Sequence, residues 1–251
     1  MASSPRMTNA TGTSWAFYRV ALLVTGETEE LHLPALFRNL AATGRCAFTV
    51  IRRVPQLNPL TSVRREKVRL RSGKTLTSRD EELGLAVRRA LNTGFDLVLV
   101  VDDLERRHLE PAYTRYRSAL DTMLCTEEQR SRVSVHFLVN MLEAYYFADT
   151  SAVNRALGTQ LEDHPDDVET IPHPKNELKK LHPAFREKEH GGAILSMLNV
   201  QHVLSHPSKC LGLRTLFAWL VRAMRLDVGS ALCLTEGALS PTTRAQIDAL
   251  R

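Results

Sequence analysis

The 251-residue sequence predicts an α/β fold: a parallel sheet with helices on both faces, plus a C-terminal helical cap. Three observations predict it. Short apolar runs without helical period recur along the first 140 residues, and such runs fit strands buried on both faces. Amphipathic stretches of helical spacing separate them. That alternation is the pattern of crossover-connected parallel strands.

The first strand is expected over 17–25 (FYRVALLVT) and stops at Gly26. Glu27, Thr28, Glu29 and Glu30 then open a helix to about residue 42, with acids in the turn where the helix dipole favours them. Leu33, Leu36, Phe37 and Leu40 give it one apolar face, and Gly44 ends it. A second strand spans 46–54 (CAFTVIRRV), closed by Pro55 and Pro59. Residues 63–76 alternate basic and apolar, as a basic loop or an extra hairpin would. Ser78 with Glu81 forms a capping box for a helix to about residue 92. The strongest strand pattern, 95–101 (FDLVLVV), runs into Asp102, Asp103, Leu104 and Glu105. A helix over 111–124, a strand over 132–139 (RVSVHFLV) and a helix over 141–157 follow. Two further helices are expected over 193–204 and 213–226, the second amphipathic. The resulting division is a disordered leader over 1–14, an α/β core over 15–160 and a helical extension over 161–251 packed on that core.

With 43% hydrophobic and 24% charged residues, the chain has enough apolar surface to bury a core, which excludes general disorder. No run reaches the roughly 18 apolar residues of a membrane span. The four cysteines, Cys46, Cys125, Cys210 and Cys233, form no CxxC pair, and the cytoplasm is the expected compartment. His202, His206 and Cys210 are spaced as zinc ligands along a helix would be. Pro207 interrupts that helix and a fourth ligand would have to come from far away, so they are read as ordinary surface or core residues. P-loop, GxSxG and HExxH motifs are absent.

The net charge of +5 is concentrated. Arg52, Arg53, Arg64, Arg65, Lys67, Arg69, Arg71 and Lys74 face a single acid, Glu66, while the rest of the chain holds 25 basic and 27 acidic residues. A local positive segment attracts polyanions, of which nucleic acid is the commonest, and would hold the phosphate backbone without reading sequence. The alternative is a solvated, charge-rich loop with no partner.

In open parallel sheets the usable crevice lies at the carboxyl ends of the strands. Acids follow three strands here: Glu27 and Glu29; Asp102, Asp103 and Glu105; and Glu143. Carboxylates brought together at such an edge repel one another and favour a shared hard divalent cation such as Mg²⁺ or Mn²⁺. Such an ion activates water and stabilises charge on a phosphodiester. Against this, acids after strands also serve as plain helix caps, most strongly at Glu27, Glu29 and Glu30.

The order strand, Gly-x-Thr-Glu, helix, then central strand ending in Asp-x-Glu resembles a TOPRIM-type domain. LEAYYFAD (142–149) followed by HPKNELKKL (173–181) is similar to one TOPRIM-like bacterial family of unknown function, often linked with ATPase partners and phage-defence gene sets. The resemblance implies a Mg²⁺- or Mn²⁺-dependent nuclease, or a nuclease-derived protein, with Asp103, Glu105 and Glu143 at the metal and Glu29 and Lys175 assisting catalysis. Gly26 and Thr28 match the first motif, Asp149 the third, and Pro174 the Pro-Lys pair. Lys175 would neutralise phosphate charge. One departure stands out: TOPRIM domains carry Glu immediately before that Gly, and this chain has Thr25. A hydroxyl cannot act as a carboxylate base near neutral pH. The alternative function is therefore a catalytically inactive binding or regulatory module of the same fold. Tyr145 and Tyr146 are read as core packing.

Overall fold

The computed structural model describes residues 6–8, 14–57, 67–69, 75–104, 108–227 and 237–250. Strands β1 (Arg6–Thr8) and β2 (Ser14–Ala16) pair antiparallel, so part of the expected leader is a short ribbon. Strands β5 (Lys67–Arg69) and β6 (Thr75–Thr77) pair likewise, which selects a hairpin within the basic segment.

The core is a four-stranded, fully parallel sheet. It contains β3 (Tyr18–Val24), β4 (Cys46–Arg53), β7 (Leu97–Leu104) and β8 (Val133–Val139), in the order β4-β3-β7-β8. All four strands therefore end at one rim, and the segments that carry Glu29, Asp103 and Glu143 meet at that rim. The period of two sends alternate side chains to opposite faces. Val20, Leu22, Val24, Leu97, Leu99 and Val101 pack on one face, under Leu33, Leu36 and Phe37 and the C-terminal helices. Ala21, Leu23, Val98, Val100 and Leu104 pack on the other, against Leu83, Val87, Tyr116 and Leu120. Each buried Leu or Val of this kind contributes roughly 1.5–3 kcal/mol by leaving water. This is the α/β arrangement expected, a parallel sheet with helices on both faces.

Several helix boundaries differ from the sequence reading. The helix expected over 27–42 is divided into α1 (Glu27–His32), a 3₁₀ turn (Leu33–Phe37) and α2 (Arg38–Ala41). Pro34 lies in the first turn of the 3₁₀ piece, where its missing N–H removes the donor a continuous helix needs. The opposite face carries α3 (Ser78–Asn92) and α4 (Leu109–Met123). The short α5 (Glu127–Ser131), capped by Thr126, was not expected. The helix expected over 141–157 is a 3₁₀ segment, Leu142–Ala148, followed by α6 (Thr150–Leu157). Asn140 and Met141, at φ 55° and 80°, redirect the chain before it. The remaining helices are α7 (Pro174–Leu181), α8 (Gly192–Met197), α9 (Val200–Ser205), α10 (Leu211–Ala223) and α11 (Pro241–Asp248). Asn199 caps α9, dividing the helix expected over 193–204.

The outer strand β8 is closed by a side chain. Gln246 Oε1 accepts from Val135 N–H at 2.7 Å, and its Nε2 donates to Val135 C=O at 2.8 Å, as a neighbouring strand would. Among the described residues, no helix is long and apolar enough to cross a membrane.

Candidate metal centre and phosphate cleft

At the carboxyl rim a cleft of about 570 Å³ opens between α1, the turn after β8, α7 and residues 185–189. Its lining includes Gly26, Glu29, Asp103, Glu143, Lys175 and Glu187. Four residues singled out in the sequence (Glu29, Asp103, Glu143 and Lys175) thus face one space, although up to 146 positions separate them.

Each arrives by a definite local device. Glu29 sits in the first turn of α1 and folds back toward its own backbone N–H. Gly26 makes that possible: a β-carbon there would overlap the Glu29 carboxylate. Asp103 follows from strand parity. It shares the face of Leu99 and Val101, whereas Asp102 shares the face of Val98 and Val100. Glu143 enters through the two left-handed residues Asn140 and Met141, whose strain persists only because surrounding contacts hold it. One such contact is Asn140 Nδ2, which donates to Glu169 C=O at 2.7 Å. Lys175 lies in the first turn of α7, after Pro174 and left-handed His173.

Glu29 and Glu143 are buried, at 5% and 3% exposure. Among the described residues neither forms an ion pair; each accepts a hydrogen bond from its own backbone N–H. Burial raises the pKa of Glu29, and the charges of Asp102 and Glu187 raise it further, while Lys175 lowers it. Burial likewise pushes Glu143 up to about 7, with Glu29 and Glu187 adding and Lys175 opposing. Tyr146, fully buried, is held well above the usual phenol value by burial and then by Glu143, Glu29, Asp103 and Glu187. Its hydroxyl donates to Gly191 C=O at 3.3 Å. Tyr145 and Tyr146 are core residues, as expected.

The neighbouring acids have other duties. Asp102 accepts from Thr25 Oγ1 at 2.5 Å, Gln56 Nε2 at 2.9 Å and Tyr116 OH at 2.8 Å. Asp149 accepts from Ser151 Oγ and from Asn199 N–H, both at 2.5 Å, and does not line the cleft. Glu105 lies outside the described residues. So do Arg64, Arg65, Arg71 and Lys74, while Lys67 and Arg69 are placed on β5. Arg52 and Arg53 are exposed and paired with Glu82 (2.6 Å) and Glu30 (3.6 Å). His202 pairs with Asp163 at 2.7 Å on a helix that ends at Ser205, and Cys210 is fully buried. Among the described residues, no three His, Cys, Asp or Glu side chains are gathered into a metal-holding set. The acids facing the cleft nonetheless offer hard carboxylate oxygens, the chemistry a Mg²⁺ or Mn²⁺ site requires. The charge of Glu29 also raises the pKa of Glu143, and among the described residues neither acid has a cation at ion-pair distance. The residues fit such an ion in kind, with closure of their side chains still needed to ligate it.

Sequence reasoning missed Glu187, Phe185, Arg186, Lys188 and Glu189, which form the outer wall of the cleft. The alternating charges at 186–189 were the available signal.

No family model and no curated protein matches the chain. Among solved structures, it is similar to the C-terminal region of the Burkholderia pseudomallei OLD protein. There the identity is 15%, covering 74% of this chain and 95% of that one, with a TM-score of 0.38. It is similar also to the C-terminal region of the Xanthomonas campestris pv. campestris OLD protein, at 11% identity, 74% and 88% coverage and the same TM-score. Overlap at this level assigns no activity.

Proposed function

We propose that the protein is a Mg²⁺- or Mn²⁺-dependent TOPRIM-like nuclease, or a nuclease-derived protein, that acts on nucleic-acid phosphodiesters. One observation carries the reading: buried Glu29 and Glu143 share a 570 Å³ cleft with Asp103 and Lys175 at the carboxyl rim of a parallel sheet. Buried carboxylates need a compensating cation or proton. A phosphodiester needs positive charge at the oxygens that become more negative during cleavage.

Asp103 and Glu143, with Glu105 from the segment just beyond β7, are the residues that would hold the cation, and Glu29 stands beside them. When bound, the ion supplies Lewis-acid stabilisation of phosphate charge and a more acidic water. Glu29, whose pKa burial raises, would stand beside such an ion as a group able to hold or release a proton. Lys175 offers a point charge to a phosphate oxygen. Phe185 and Met141 supply the apolar part of the cleft wall. The basic segment from Arg52 to Lys74 would contact the nucleic-acid backbone without sequence preference. An ATPase partner, a role in phage defence and a cytoplasmic setting follow from the family resemblance and the cysteine pattern.

The test is cleavage of DNA and RNA by purified protein, with Mn²⁺ or with EDTA, and with and without an ATPase partner. Asp103→Ala should abolish cleavage while the protein stays folded; cleavage that survives this change overturns the reading. A second reading, a catalytically inactive binding module, is favoured by Thr25, whose hydroxyl is engaged with Asp102. It predicts cation-independent nucleic-acid binding and no cleavage under any of these conditions.

A further inference from the structure

The cleft already contains a cation of its own. Lys175 Nζ lies 2.7 Å from Glu187 Oε1, and both line the cleft beside Glu29, Asp103 and Glu143. Glu187 begins a single π-turn, Glu187–Gly191, and such turns concentrate at functional sites. The turn is fastened to both walls of the cleft. Gly191 C=O accepts from Tyr146, in the segment that carries Glu143. Gly192 packs so closely on His32 of α1 that a β-carbon would overlap the imidazole, which ties the turn to the helix that carries Glu29. Arg186 N–H donates to His190 Nδ1 at 2.9 Å, closing the turn from within. At the mouth, Lys188 pairs with Glu27 (2.7 Å) and Arg186 with Glu189 (3.2 Å), so these outer charges are matched among themselves. Lys175 and Glu187 remain as the ion pair that faces the inner carboxylates.

We propose that Glu187 is a positioning residue that anchors Lys175 over the buried carboxylates as an internal counter-cation, which a divalent ion must displace in order to load. The proposal rests on the cation-site reading above. It accounts for two facts together. Among the described residues, buried Glu29 and Glu143 form no ion pair, yet the acids are not gathered into a ligand set. A lysine tethered 2.7 Å from a fourth acid neutralises part of the field without drawing the others inward. Displacement would release Glu187 and Lys175 at the same moment, so that loading the site also frees the lysine for a phosphate oxygen.

The experiment is calorimetric titration of the full chain with Mn²⁺ alone, beside melting curves in EDTA at pH 8. Lys175→Met removes the competing charge and should bind Mn²⁺ about tenfold tighter than the wild type, the size expected for one charge a few ångströms away. It should also melt lower in EDTA and recover more on Mn²⁺ addition. Glu187→Gln unanchors the competing lysine but also deletes an acid, so its Mn²⁺ affinity should rise by less than that of Lys175→Met. Lys175→Arg keeps the cation and should restore wild-type affinity. If the wild type binds Mn²⁺ and Lys175→Met binds equally or less tightly, the counter-cation role is overturned while the cation site stands. If only Lys175→Met binds, the role is supported in its strongest form. If neither the wild type nor any variant binds, the cation-site reading falls and this proposal with it.

Discussion

Glu169 gives the clearest quantitative handle on the scaffold behind the cleft. Its carboxylate accepts from Tyr145 OH at 2.9 Å and from the Gly212 and Leu213 N–H groups at 2.8 and 3.3 Å, at the start of α10. Burial pushes its pKa up from 4.5 to about 7, with Asp167 adding and the three donors opposing. The folded state therefore holds a proton that the unfolded chain releases above about 4.5. The stabilisation from that proton is complete below 4.5 and is lost as pH rises through 7. At about 1.4 kcal/mol per unit the full window corresponds to ~3 kcal/mol, and the residue's remaining solvent contact reduces this to about 2 kcal/mol. Glu169→Gln keeps an acceptor for the same donors and cannot ionise. Urea unfolding in EDTA between pH 4.5 and 7.5 should show the variant's stability falling by about 2 kcal/mol less than the wild type's over that range. Glu143, also raised to about 7, contributes the same slope to both proteins and cancels in the comparison. Parallel stability curves for the two proteins would refute the assignment of a buried, protonated Glu169.

Four further outcomes follow from the same geometry. Asp102→Ala strands three donors, Thr25, Gln56 and Tyr116, and should cost about 2–4 kcal/mol in urea unfolding while leaving the cleft acids in place. Gly26→Ala drives a β-carbon into the Glu29 carboxylate, so Mn²⁺ affinity measured by calorimetry should fall roughly tenfold while the melting temperature moves by only a few degrees. Gln246→Ala removes both hydrogen bonds to Val135 and should cost about 1–3 kcal/mol, with increased self-association by light scattering as the β8 edge opens. Reversing the charges of Arg64, Arg65, Arg69 and Arg71 should weaken nucleic-acid binding and flatten its dependence on salt; unchanged affinity would leave the basic segment a solvated surface.

The parts of this molecule that were legible in the sequence are those where one physical preference dominates. Four apolar runs became four strands because their apolar character suits burial on both faces of a sheet. That Glu29, Asp103 and Glu143 face one cleft was legible because parallel strands deliver their ends to one rim, whereas Lys175, on α7, was singled out only by the family resemblance. Other features depend on contacts the sequence does not display. Alternation separates Asp102 from Asp103, but the cleft face follows only from the strand order and from which helices cover each side. Asn140 is a residue type that tolerates the left-handed region, but Met141 carries no such signal, and the turn is held by Asn140's bond to the distant Glu169 loop. Glu187 sits in a short charged stretch without periodicity, where a π-turn leaves no pattern to read.

Thr25 is better understood through its partner than as a missing catalytic acid. Parity places it on the face of Ala21 and Leu23, away from the cleft, where its hydroxyl donates to Asp102 at 2.5 Å. A glutamate at position 25 would bring a second carboxylate against Asp102, which is 1% exposed. Two buried carboxylates at that distance cannot both ionise. The identities of residues 25 and 102 are thus coupled: an acid at 102 requires a neutral donor at 25. Changing Thr25 to Glu alone should therefore destabilise the fold, and should give no gain in cation affinity. The double change Thr25→Glu with Asp102→Thr exchanges acceptor for donor across the same pair of strand ends. It should recover most of the loss in urea unfolding, a coupling of about 1–3 kcal/mol in a double-mutant cycle. Additive losses in the double variant would show that the two strand ends are not linked in this way, and would return Thr25 to the status of a simple vacancy in the TOPRIM pattern.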